Sequence, residues 1–401
     1  MAGLSAAAAL AEHGKVVVLE GEEQVGFHSS GRSAALLHYA LGNPPIRRLT
    51  LASREFFERP PQELGGVALS SILPILTPAR PDELPRLQEL ADDLSPFTDV
   101  DWLDEDGLRR ECPLLRVGGK DAVKGFIDRT ALKLDGHALL QAYLHLLRMH
   151  GGEVRTNARI ASIDRAGAAW RVQTERGDVH EAPTLVNAAG AWADAVATLA
   201  GLKPVGLQPM RRTIIVFDAP DGVDVARLPF TKTAPDELYF GPEAGRIFAS
   251  PMDEVPSDPC DAQPDEYEMA LAAHRVEERT IMTVRRIEHR WAGLRTFAPG
   301  RLPVVGFATD AERFFWLAGQ GGAGLQTSPA IARIVASLIA DAPWSVADVS
   351  PAELSPARFA AYAAGTLTRR SGGARSRARA CCGGVRTGKC LARCRAPAGR
   401  R

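Results

Sequence analysis

The chain has 401 residues, 45% hydrophobic and 24% charged, enough for two or three domains with buried cores at roughly 100–200 residues per domain. Lys plus Arg and Asp plus Glu both number 48, but residues 365–401 hold ten Arg and one Lys with no acid, so the preceding 364 residues carry −11 against the tail's +11. A mildly acidic body gives no electrostatic reason to expect nucleic acid or an anionic membrane as partner, and no stretch reaches the ~18 apolar residues that cross a bilayer.

Residues 2–13 (AGLSAAAALAEH) are small and helix-forming. They lack the basic flank of a signal peptide and lead, after His13-Gly14, into a β-branched strand at 15–19 that ends at Glu20. Helix, glycine stop and apolar strand make half of a βαβ unit. A Gly/Ser-rich loop follows at 26–33, and Asn43 with Pro44-Pro45 opens a helix with Ile46, Leu49, Ala52 and Phe56 on one face. Residues 60–130 are Pro-rich and read as irregular, with short strand candidates such as 71–76. A long amphipathic helix is predicted from Asp135 to His150, stopped by Gly151-Gly152, then short alternating strands at 153–163 and 168–175. The segment 184–186 leads into a small-residue turn at 188–191; residues 206–290 alternate strands with polar turns and one helix near 263–276. A strand at 314–318, a Gly-rich turn at 319–324 and a helix at 328–340 complete the patterned part.

The remainder, from 363 to 401, has no aromatic residue and too little apolar surface to offset its ordering entropy, so disorder is expected there. Its Cys381, Cys382, Cys390 and Cys394 are spaced CC-x7-C-x3-C with no histidine nearby, which is not a structural-zinc pattern, and no metal site is expected. Such an Arg/Ala/Gly/Cys-rich ending resembles out-of-frame translation of GC-rich DNA, and sequencing the 3′ end of the gene tests that. Only Cys112 and Cys260 lie elsewhere, so a disulfide framework is not expected, and a reducing, cytoplasmic setting is.

Three Gly-rich turns each join a strand to a helix: the one at Met1, 188–191 and 319–324. Together they describe a site lined with backbone donors, where helix starts favour negative charge. A dinucleotide site needs a strand, a tight Gly turn, a helix, a second strand and an acid for the ribose. Here the helix, the second strand and Glu20 are present, with Gly3 where the third glycine belongs; the first strand and two glycines are absent. A methionine inside a G-x-G-M-A-G loop, taken as the start, explains that beginning.

The runs VVVLEGEEQVGFHSSGRSAA, VNAAGAWADAVATLAG, LQPMRRT, WAGLRTF and FFWLAGQGGAGLQTSPA resemble the D-amino-acid oxidase-like flavoproteins, over residues 1–345 in order. Within them the likeness is nearest to the bacterial FAD-dependent D-arginine dehydrogenases. The resemblance implies an α/β fold: a Rossmann-like FAD-binding domain without its first strand, discontinuous over 1–65, 135–205 and 290–345, and a largely antiparallel α+β substrate domain over 66–134 and 206–289. It implies FAD as cofactor. Glu20 and Gly21 would hold the adenosine ribose, and Ala2 and Gly3 would lie near the pyrophosphate. Ser29, Ser30, Arg32, Ser33, Ala34 and Ala35 would lie near phosphates and flavin, with Gly190, Gly321, Gly322, Gly324, Leu325 and Gln326 completing the set.

The resemblance also implies a substrate α-carboxylate held by Arg212, Arg295 and Tyr239. A planar guanidinium suits bidentate carboxylate capture, which would present Cα–H to the flavin. Read alone, Arg212 is equally a strand-surface charge, Arg295 a loop salt bridge and Tyr239 a strand residue facing the core. Where the D-arginine enzymes place a carboxylate for the substrate guanidinium this chain has Ile75, and Leu36 and Leu41 replace their histidine and loop tyrosine, with His38 between. A buried guanidinium without a carboxylate is disfavoured. The expected substrate is therefore a D-amino acid with a neutral or hydrophobic side chain, bound by Leu36, His38, Leu41, Ile75 and Gly322 and oxidised by hydride transfer to the flavin. The electron acceptor and oligomeric state are left open. Two alternatives stand beside it: oxidation of a secondary amine or 2-hydroxy acid, and a truncated, non-catalytic remnant that holds FAD poorly.

Overall fold

A computed structural model describes residues 1–346 and 348–359; the 363–401 segment, with its expected disorder and its four cysteines, lies outside the described residues. The chain opens on the helix Ala2–Ala11, with no strand before it. Its alanines are the strongest helix formers, and their small side chains let two other helices approach. Leu4, Ala7, Ala8 and Ala11 pack against Leu139, Leu140 and Tyr143 of the helix Gly136–Met149. Ala6 meets Ala330, Ile331 and Ile334 of the helix Ser328–Ala340.

These helices cover two parallel strand pairs. Val17–Leu19 pairs with Glu153–Arg155, and Leu185–Asn187 pairs with Phe314–Ala318, which Val304–Phe307 extends antiparallel. The two pairs are not hydrogen-bonded to one another. This is the expected Rossmann-like α/β arrangement.

The second layer is a nine-stranded sheet, antiparallel except where Phe230–Lys232 runs parallel to Ile75–Ala79. Its longest strands, Gln208–Phe217 and His289–Phe297, pair over nine residues in register. Ile215, Phe217, Phe240, Ile247 and Ala249 bury one face against Ala272 and Val276 of the helix Glu266–Arg279. Asp265 caps that helix by accepting from Tyr267 N at 3.0 Å.

Residues 60–130 are more regular than the sequence reading allowed. They contain the helices Leu84–Leu94 and Glu105–Glu111 and strands at Ile75–Ala79, Asp101–Leu103 and Lys124–Asp128. Leu87, Leu90, Ala91 and Leu94 form the buried face of the first helix, and Asp104 caps the second through Gly107 N at 2.8 Å. Pro81 and Pro85 sit in first turns and Pro78 near a strand end, where the missing N–H costs little. Two details of the helix Pro44–Glu58 also differ. Asn43 occupies the cap position but makes no side-chain capping bond, and Pro45 removes one of the two N–H donors such a cap could accept from. Phe57 is the buried aromatic, with Phe56 partly covered.

Candidate active site

A cavity of about 1480 Å³ lies between the two layers. Its walls include Ala2, Gly3, Glu20, Gly21, Ser29, Ser30, Arg32, Ser33, Ala34, Gly190, Gly321, Gly322, Gly324 and Leu325. The sequence reading thus brings most of its nucleotide residues to one space. Glu20 follows the strand Val17–Leu19 and accepts from Glu22 N at 3.1 Å. The Ser29–Arg32 turn folds back on itself through Gly31 N to Gly26 O at 2.9 Å; a Cβ at Gly31 would lie 2.5 Å from that oxygen, so only glycine fits. Gly3 is less demanding, since a Cβ there would reach ordinary contact with Ala188 at 3.4 Å.

Side-chain roles within this set differ from the expectation. Arg32 lines the cavity, but its guanidinium is committed to Asp261 Oδ1 at 2.5 Å and to the Ala262 and Ala292 carbonyls. Ser29 Oγ donates to Leu294 O at 2.6 Å and Ser33 Oγ accepts from Ala35 N at 3.0 Å. Ala35 itself is buried outside the cavity wall in a left-handed conformation, φ 53°. Gln326 is also not in the wall. Its Nε2 donates to Thr50 Oγ1 at 2.8 Å and its Oε1 accepts from His38 N at 3.3 Å, fastening the His38 segment to the helix Pro44–Glu58.

The same cavity reaches one face of the large sheet. Arg212 lies opposite Gly293 and Met210 opposite Arg295, so both arginines point to one side; Tyr239 and Arg212 share the cavity wall with Ile214 and Arg295. Arg212 is 5% exposed, its Nε donating to Asp253 O at 2.6 Å and its Nη2 reaching Glu254 Oε1 at 3.5 Å, while Nη1 has no partner. Tyr239 Oη is likewise buried and unpartnered, its ring held by Phe230 and Phe248 at centroid distances of 5.2 and 6.0 Å. Burial, then the neighbouring Arg212 charge, push the Arg295 guanidinium down to about 10. One Arg212 nitrogen and a phenol oxygen buried without partners, beside a second guanidinium, are costly alone and are satisfied by an anionic oxygen ligand. Gln320 adds a further unpartnered buried donor, Nε2, to the wall.

The expected side-chain pocket is only partly assembled. Leu36 and Ile75 join Tyr239, Phe230 and Ile214 in one apolar cluster behind the cavity wall. Leu41 does not: it packs with Ala6, Ile46 and the helix Ser328–Ala340, because the turn after Tyr39 directs it toward that core. His38 is 7% exposed, outside the wall, with Nδ1 unpartnered. Burial first, then the positive charges of Lys232 and Arg295, push its imidazole down to about 3, so it is neutral. Lys232, which the sequence did not single out, lies opposite Tyr239 in register and is buried in an ion pair with Asp236. Asp253, Glu254 and Gln320 were also missed. The T-K-x-x-x-D spacing hints at the lysine pair, but no local pattern marks the other three.

Comparison with known proteins shows the family and the fold. The family model described as DAO, FAD dependent oxidoreductase, matches residues 1–338. A curated relative, the hydrogen cyanide synthase subunit HcnC of Pseudomonas aeruginosa, is 26% identical over 233 residues, 57% of this chain and 53% of that protein. The chain therefore spans about half the length of this relative. Among solved structures, L-proline dehydrogenase from P. horikoshii superposes with a TM-score of 0.78 at 19% identity, covering 90% of this chain and 95% of the other. Glycine oxidase from Geobacillus kaustophilus does so with 0.72 at 20% identity, covering 92% and 96%. No helix among the described residues is long and apolar enough to cross a membrane.

Proposed function

The chain belongs to the DAO family of FAD dependent oxidoreductases, and on that premise we propose that it oxidises a D-amino acid with a neutral or hydrophobic side chain. The product is the imino acid, which hydrolyses to the 2-oxo acid and ammonia. The observation that carries this reading is the pair of unpartnered buried donors, Arg212 Nη1 and Tyr239 Oη, in one cavity with Arg295. The residues present fit the cofactor: the wall combines Glu20, the turn residues Ser29, Ser30 and Arg32, whose tight fold Gly31 permits, and the free Gln320 donor.

FAD, when bound, supplies the acceptor for the hydride that leaves Cα. Glu20 and Gly21 would hold its ribose, Ala2, Gly3 and Ser30 its phosphates, and Gly321, Gly322, Gly324 and Leu325 its ring. Arg212 and Arg295 clamp the substrate carboxylate, and Tyr239 donates to the same group, which orients Cα–H and fixes the amine. The apolar cluster of Leu36, Ile75 and Phe230 behind Tyr239 favours a neutral side chain. No side chain in the wall is placed as a dedicated base, so the amine loses its proton to solvent before hydride transfer. The D-configuration is taken from the resemblance of LQPMRRT and WAGLRTF to the D-amino-acid oxidase-like flavoproteins. The arginine pair reads only the carboxylate, which a secondary amine such as proline also presents; the fold likeness to an L-proline dehydrogenase keeps that second reading.

The test is the visible spectrum of the FAD-loaded protein, recorded anaerobically with D- and then L-amino acids. Bleaching by D- and not L-amino acids is expected. Bleaching by proline or sarcosine alone establishes the second reading, and a flavin band that none of these bleaches overturns both.

A further inference from the structure

Arg212 is oriented by a strap that crosses it from the loop after the strand Arg246–Ser250. Asp253 O accepts from Arg212 Nε at 2.6 Å, and the Asp253 carboxylate accepts from Thr213 N at 2.8 and 3.1 Å. The next residue, Glu254, places Oε1 3.5 Å from Arg212 Nη2. On its outer side Glu254 is gripped by Arg301 Nη2, at 2.8 Å to Oε1 and 3.0 Å to Oε2. Arg301 is itself fixed, its guanidinium 3.7 Å above the Phe297 ring, two residues from Arg295 on the same strand. Glu254 thus stands between an exposed cation and a buried one. It is also among the nearest negative charges to an arginine pair that otherwise repel each other in a desolvated site.

We propose that Glu254 is a positioning residue of the carboxylate site: held by Arg301, it pins Arg212 so that Nη1 is the nitrogen left for a ligand, and it offsets the repulsion between Arg212 and Arg295. This rests on the reading of Arg212 as a carboxylate ligand. A surface charge of ordinary kind would contribute little and be screened by salt. Here the two consequences of removing it have opposite signs. Losing the anchor frees the guanidinium and weakens a bound carboxylate, while losing the charge leaves the site one unit more positive and attracts anions at low ionic strength.

The experiment is calorimetric titration of the FAD-loaded full chain with benzoate at low salt and at about 0.5 M NaCl, where the Debye length has fallen to a few ångströms. Glu254→Gln is expected to bind benzoate on the order of tenfold more weakly at high salt, a loss of about 1.4 kcal/mol, and to show a steeper salt dependence than the parent. Arg301→Gln, an exposed position that leaves the core untouched, is expected to weaken high-salt binding in the same direction by a smaller factor. Parent-like affinity and salt slope in both variants, while Arg212→Lys binds weakly, overturns the proposal alone. Parent-like benzoate binding by Arg212→Lys overturns the reading beneath it.

Discussion

The two arginines are not equivalent. Arg212 is anchored on two of its three nitrogens, whereas Arg295 is held mainly by packing and by the backbone of Gly322, where an added Cβ would lie 3.3 Å from the guanidinium carbon. Gly322→Ala is therefore expected to displace Arg295 by a few tenths of an ångström and weaken carboxylate binding several-fold, read as a raised Kd for benzoate with little change in Tm. The depressed ionisation of Arg295, about 10, has a second consequence. The group is a cation below that value and neutral above it, so carboxylate affinity should be constant through neutral pH and fall as pH rises through 10. A benzoate affinity that holds unchanged to pH 11 would contradict the burial that lowers this group. His38 stays neutral throughout that range, with its ionisation pushed down to about 3, and contributes nothing to this loss.

At the scale of elements, the helix Gly136–Met149 shows how a local signal serves the site. Asp135 accepts from Ala138 N at 2.8 Å, and Gly151 in a left-handed conformation stops the chain just past the helix. The buried face of Leu139, Leu140, Tyr143 and Leu147 then holds the first helix, whose start forms part of the cavity wall. Asp135→Ala should cost about 1 kcal/mol of stability, measured by denaturant unfolding, because one orphan helix N–H loses its acceptor. The elements the sequence reading missed failed for a different reason. The helix Leu84–Leu94 carries a clear apolar stripe at Leu87, Leu90, Ala91 and Leu94, yet the surrounding prolines masked it. Those prolines occupy first-turn positions, where they start a helix and do not break it. Asn43 is the converse, a favourable cap residue whose side chain stays unpaired where a proline two positions later lacks the N–H donor.

Across the whole molecule, the cavity draws its wall from Met1 through Ala340, so a cofactor bound in it would tie together segments distant in sequence. FAD bound to the folded state alone must stabilise it by mass action. Removing FAD should lower Tm, and restoring it should raise stability by about 1.4 kcal/mol for each tenfold excess over Kd, read by thermal unfolding at several FAD concentrations. A Tm independent of FAD would mean that the cofactor does not engage this wall. What the sequence determined by itself was the local and the periodic. Alanine content fixes the first helix, β-branched runs the strands and the Gly-rich turns the backbone donors, since these depend on a few neighbouring residues. The long matching runs around Arg212 and Arg295 carried their pairing as well. The tertiary structure alone decided which groups remain unsatisfied. Arg32, Ser29 and Gln326 spend their hydrogen bonds on partners more than 200 residues away, whereas Arg212 Nη1 and Tyr239 Oη are left free. Leu41 was turned from the pocket to the helix core in the same way, and Glu254 and Lys232 acquired their neighbours only when strands came into register. Burial and partner choice are properties of the packed chain, because the cost of an unpaired polar group depends on what surrounds it in space and not on what adjoins it in sequence.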